Sequence, residues 1–236
     1  MMHATLPPLQ ASQPIERTAA PAMRYGLNGL RRALIGAALF GAASGSGSAY
    51  TVNLNPAAPL TVYLQVGVGS FTNDYINGGQ PGNNTSINTV SATVAASVLG
   101  NGTAQTMTTN STAAQSYYDG FTFCSVPGQI YIGGFYRTAG GTTAAARVTA
   151  TVPAALTDSA GDTIPFSKIA WTSSGNADSG AEPFPAGTFV SGGAQSVGSM
   201  SSNTWNESCW TFSYLNNTVP PAGTFTGVVR YTLSAP

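Results

Sequence analysis

Histidine is all but missing from this chain: its single copy is His3, and none follows. A Ser-His-Asp or Cys-His relay therefore has no base in the body of the protein, and a histidine-ligated metal site has no ligands. Charge is scarce too, at 7% of 236 residues, with eight basic and eight acidic. Four of the basic ones, Arg17, Arg24, Arg31 and Arg32, come before Tyr50. The rest, Arg137, Arg147, Lys168 and Arg230, face Asp74, Asp119, Asp158, Asp162, Asp178, Glu182 and Glu207. Four minus seven leaves −3 from Tyr50 onward, with no basic patch to neutralise phosphates. Nucleic acid is excluded as a partner class on that count.

Long apolar runs are absent as well. The longest, Ala33 to Ala43, falls short of the roughly 20 residues a bilayer span needs. It follows Arg31-Arg32 and leads through small residues to Ser48-Ala49, which is the layout of a bacterial-type secretory signal cleaved before Tyr50. Residues 1–49 thus read as an export signal with a long n-region, and Met23 offers a more compact start. The Arg pair fits an ordinary positive n-region and equally part of a twin-arginine signal. No membrane span is expected after signal removal, and the expected location is periplasmic, cell-surface or extracellular.

Residues 50–236 hold no amphipathic helix pattern. Apolar and polar residues alternate with period two instead, between clusters of Gly, Asn, Pro and Ser. Leu60, Val62, Leu64, Val66 and Val68 form one apolar face with Thr61, Tyr63, Gln65 and Gly67 between them. Further strands are expected over Ile87–Leu99 (where the alanines also suit a short helix), 104–109, 121–124, 129–132, 146–152, 164–172, 205–215 and 224–233. Many short strands separated by turns predict one all-β domain, an immunoglobulin-like antiparallel β-sandwich.

Cysteine is down to two residues, Cys124 and Cys209. In an oxidising compartment a lone pair is expected to form a disulfide. Alternation puts Phe121 and Phe123 opposite Cys124, and Trp210, Phe212 and Tyr214 opposite Cys209. Both thiols then lie on the less apolar face, which predicts a bridge between neighbouring strands or at an edge.

The remaining constellations have two readings each. Asp178 and Glu182 suit a carboxylate pair for glycoside hydrolysis or solvated loop charge. Asp158-Ser159-Ala160-Gly161-Asp162 suits a hairpin turn or an incomplete calcium loop. Trp171, Trp205 and Trp210 suit a core or a sugar-stacking platform. Several Asn-x-Ser/Thr triplets, such as Asn101-Gly102-Thr103 and Asn216-Asn217-Thr218, accompany an Asn/Thr-rich composition. No catalytic residue, metal or cofactor is expected.

The segment Pro221-Ala222-Gly223-Thr224-Phe225-Thr226-Gly227-Val228-Val229-Arg230-Tyr231-Thr232-Leu233 resembles the last strand of chaperone–usher pilin subunits, including the spore-coat-U type. A Gly-Thr-Phe opening leads into alternating apolar residues, with Gly223 fourteenth from the end. Where those subunits commonly place a penultimate tyrosine, this chain has Ala235. The resemblance implies a fimbrial or surface-appendage subunit whose partners are copies of itself or related subunits and a periplasmic chaperone. Leu60, Val62, Leu64, Val66 and Val68 would be its donor strand, or else the first strand of its own sandwich. The alternative reading is a secreted carbohydrate-binding β-sandwich module.

Overall fold

A computed structural model of the chain describes residues 51–72, 80–82, 84–118, 120–140, 142–176 and 181–236. The expected export signal and its cleavage boundary lie outside them, as does Asp178. The strands described are β1 (Thr51–Asn53), β2 (Thr61–Val66), β3 (Phe71–Thr72), β4 (Gln80–Pro81), β5 (Val90–Ser91), β6 (Gln105–Thr106), β7 (Thr108–Thr109) and β8 (Ile130–Arg137). After them come β9 (Ala146–Val152), β10 (Ala155–Thr157), β11 (Thr163–Pro165), β12 (Ile169–Ser174), β13 (Gly187–Thr188), β14 (Gly193–Met200), β15 (Thr204–Tyr214) and β16 (Arg230–Ser234). One short 3-10 helix, Phe166–Lys168, is the sole helix among the described residues.

Strand β15 is the spine of a seven-stranded sheet. On one side it pairs with β1 through residues 204–206 and with β12 through 209–214. On the other it pairs with β8 through 204–208 and with β6 through 213–214. Strand β13 ends the sheet beyond β12, and β2 ends it beyond β8. A second sheet has the order β14-β9-β16, and the strand pairs in both sheets are antiparallel. The chain is all-β, and the two sheets pack as a sandwich.

Alternation along β15 explains how one sheet supports two cores. Trp210, Phe212 and Tyr214 point toward the second sheet, where they meet Val148, Ala150 and Val152 of β9 and Val197 and Met200 of β14. The Trp210 and Tyr231 rings, one from each sheet, lie 5.8 Å apart between centroids. Trp205 and Cys209 point the other way, into a second buried cluster with Tyr63, Tyr131 and Phe135. A strap of mostly irregular chain, residues 111–118 and 120–125, contributes Ala113, Phe123 and Cys124 to that cluster and covers it. Consequently every residue of β8 is buried, without the alternation of a sheet wet on one face.

The strap corrects two expectations. Residues 121–124 form no strand, only a bridge between Gln115 and Thr122. The Phe123 and Cys124 amides both donate to the Ala114 carbonyl at 2.8 Å, a convergence that extended chain does not permit. Cys124 and Cys209 do form the disulfide, with Cα atoms 5.5 Å apart. Yet the bridge lies neither at an edge nor between neighbouring strands. It is fully buried, tying the strap to the middle of the central strand. The face read as less apolar is an aromatic core once the strap's side chains are counted.

Elsewhere, Ile87–Leu99 yields only the two residues of β5 and then turns, because of its apolar residues only Val90 and Val94 reach the core. Residues 164–172 divide at Pro165 into β11, the 3-10 helix and β12. The last strand, expected over 224–233, is regular only at Arg230–Ser234, with Thr226 bridged to Thr157.

Candidate functional site

The five alternating apolar residues lie on and beside β2, an edge strand of the chain's own sheet. β2 pairs with β8 from Thr61↔Arg137 to Val66↔Ile132. The Gly67 amide continues the ladder by donating to the Tyr131 carbonyl at 2.7 Å. Bonded pairs recur every second residue in an antiparallel ladder, so Thr61, Tyr63 and Gln65 direct their main-chain groups at β8. Val62, Leu64 and Val66 therefore direct theirs outward, and among the described residues no strand pairs there. The ladder stops at Val68, whose amide is taken by Asn88 Oδ1 and whose carbonyl is taken by Asn84 Nδ2, both at 2.7 Å.

Side-chain burial along β2 reverses the pattern that alternation suggests. Tyr63 and Gln65 are buried under the strap side, whereas Leu60 is 50% and Val62 37% exposed. Leu64 and Val66 are half-buried against the intersheet core. Strand β16, the edge of the second sheet, lies near β2 and also lacks an outer neighbour among the described strands. Val228, just before it, is exposed.

The opposite side of the sandwich is closed. There β13 is only two residues long, and β14 breaks register with β9 at a bulge between Ser196 and Gly198. Gln195 of β14 links the sheets by donating to the Thr188 carbonyl at 3.1 Å and accepting from the Val190 amide. Short edge strands and bulges are the devices that stop a sheet from recruiting another strand. Strands β2 and β16 have neither.

Under the strap, three strands align a polar row, Gln65 opposite Gly133 opposite Glu207. Glu207 is wholly buried and accepts from Tyr131 Oη at 2.6 Å and Trp205 Nε1 at 2.9 Å. Gly133 makes this row fit, since a Cβ there would stand 2.3 Å from the Tyr131 hydroxyl. Gln65 accepts from Tyr63 Oη at 2.9 Å and donates to the Gly67 carbonyl at 2.6 Å. Burial, with the Tyr117 phenol nearby, holds the Tyr63 phenol well above the usual tyrosine range. Nothing in the sequence pattern singled out Glu207; only the strap, which buries it, makes it unusual.

The chain matches no protein-family model, no curated protein and no solved structure. Its own geometry therefore carries the functional argument.

Several candidates resolve into structure. Trp171, Trp205 and Trp210 are all buried, which overturns a sugar platform made of them. Asp158 closes the β10–β11 hairpin, its Oδ1 accepting from the Ala160 and Asp162 amides at 2.9 and 2.8 Å. Among the described residues no three metal-ligating side chains cluster. Asn216 is buried with positive φ, and its side chain bonds Val98, Asn101, Thr103 and Gly100. That Asn is a loop clamp rather than an accessible glycosylation acceptor. A cavity of about 410 Å³ opens beside the strap, lined by Val68, Thr112, Gln115, Tyr117 and Gly120 among others. No described helix is long and apolar enough to cross a membrane.

Proposed function

We propose that this is an exported, non-enzymatic structural or interaction protein, of the kind found in fimbriae and other surface appendages, which assembles by β-strand addition. The observation that carries the reading is the asymmetry of the sandwich. One side is blunted by a two-residue strand and a bulge, while the other ends in the regular, unbulged edges β2 and β16. In strand addition main-chain hydrogen bonds supply affinity and alternate side chains supply fit. Val62, Leu64 and Val66 present both. The buried disulfide suits an oxidising compartment, and Glu207, wholly buried, serves internal donors rather than a substrate.

The residues named as a donor strand act in this reading as a receiving edge, because β2 is already paired with β8. A sugar-binding module is the second reading. It has the strap cavity with Tyr117 and Gln115 in its favour and the buried tryptophans against it.

Val62→Pro tests strand addition. The Val62 amide points outward, so proline removes no bond to β8, and edge strands tolerate proline at such positions. Sedimentation of the mature protein should show association weakened by at least about tenfold, the loss expected from one or two hydrogen bonds. Thermal melting should move little. Assembly unchanged by Val62→Pro, or a wild-type protein monomeric at every concentration, contradicts the reading.

A further inference from the structure

We infer that the strand received at β2 is the β2 of a second copy, paired antiparallel about a two-fold axis through Leu64. This rests on the strand-addition reading and adds to it the partner and the register. A two-fold pairing centred on Leu64 sets Leu64 opposite Leu64, Val62 opposite Val66 and Leu60 opposite Val68. Every residue on the apolar face thus meets another aliphatic residue, which is the self-complementarity an isologous interface requires. This register also uses all three residues whose main-chain groups face outward, each pair exchanging two N–H···O bonds. Val68, whose main chain is held by Asn84 and Asn88, marks where the ladder ends.

Charge separates β2 from the other open edge. The stretch from Leu60 to Ser70 contains no charged residue, so two copies meet without repulsion. Strand β16 begins at the exposed Arg230, and its alternate residues Arg230, Thr232 and Ser234 are polar and exposed. Exposure of Leu60 and Val62 places aliphatic surface at the edge that the second copy would cover.

Single cysteines read the register directly. Opposed residues in bonded pairs have Cα atoms about 5.5 Å apart, within the range a disulfide spans. Under mild oxidation of the mature protein by copper–phenanthroline, Leu64→Cys should give a covalent dimer in non-reducing mass analysis. Val62→Cys alone should not, because its counterpart lies four residues away along the strand, roughly 13 Å. Mixing Val62→Cys with Val66→Cys should restore the dimer. The native bridge is buried and is not expected to exchange. Far- and near-ultraviolet circular dichroism matching the wild type confirms that each variant is folded. Larger assemblies without a Leu64→Cys dimer overturn the two-fold register and leave strand addition standing. A wild-type protein that stays monomeric overturns both.

Discussion

Individual residues in this protein are selected less by type than by what covers them. Glu207 is an acid in a strand that would read as half-exposed, yet it is buried because the strap lies over it. Replacing it by Ala leaves the Tyr131 hydroxyl and Trp205 indole N–H without that acceptor in a closed site. Each lost buried bond costs about 1–3 kcal/mol, so Glu207→Ala should lower unfolding free energy by roughly 2–5 kcal/mol in a denaturant titration. Glu207→Gln, which keeps an acceptor, should lose less. Tyr63 predicts a pH effect on the same face. Its phenol is held neutral by burial, so the folded state binds this proton more tightly than the unfolded chain does. That contribution is fully present below about pH 10 and is lost as pH rises above it. Chemical denaturation from pH 8 to 11 should show the decline, and Tyr63→Phe should lessen it, the remainder coming from the Tyr231 phenol, which burial raises in the same way.

At the scale of elements, legibility followed the number of covered faces. Strand β9 matches the expected 146–152 because one face meets the core and the other solvent, so alternation and burial coincide. Strand β15 was visible for its aromatics, although its second buried face was not. Strand β14, with the sequence Gly-Ala-Gln-Ser-Val-Gly-Ser-Met, carries only two buried apolar side chains and gives no periodic signal. The opposite error arose in the stretch from Ile87 to Leu99, where among the described residues only Val90 and Ser91 pair, with β7. Strand β2 was recognisable, but its more buried face was not the aliphatic one. Tyr63 and Gln65 go under the strap, and the strap's position depends on the Cys124–Cys209 bond between residues 85 apart. The pairing was legible from cysteine number, its depth was not, because a bridge from irregular chain leaves no alternation to read. The open edge was equally hidden, since which strand ends a sheet depends on long-range order.

Across the whole molecule, one side of the sandwich is built to stop pairing and the other is not. Blunting at β13 and β14 shows that this fold has the means to protect an edge, and β2 goes without them. Closing an 85-residue separation, the disulfide contributes about 4–5 kcal/mol in the chain-entropy model by restricting the unfolded chain. The most direct measurement is amide hydrogen exchange at Val62, Leu64 and Val66 across a range of protein concentrations. Strand addition predicts that these outward amides become protected as concentration rises, while those of Val148 and Ala150 inside the second sheet stay constant. Rapid exchange at all three positions at every concentration would contradict it.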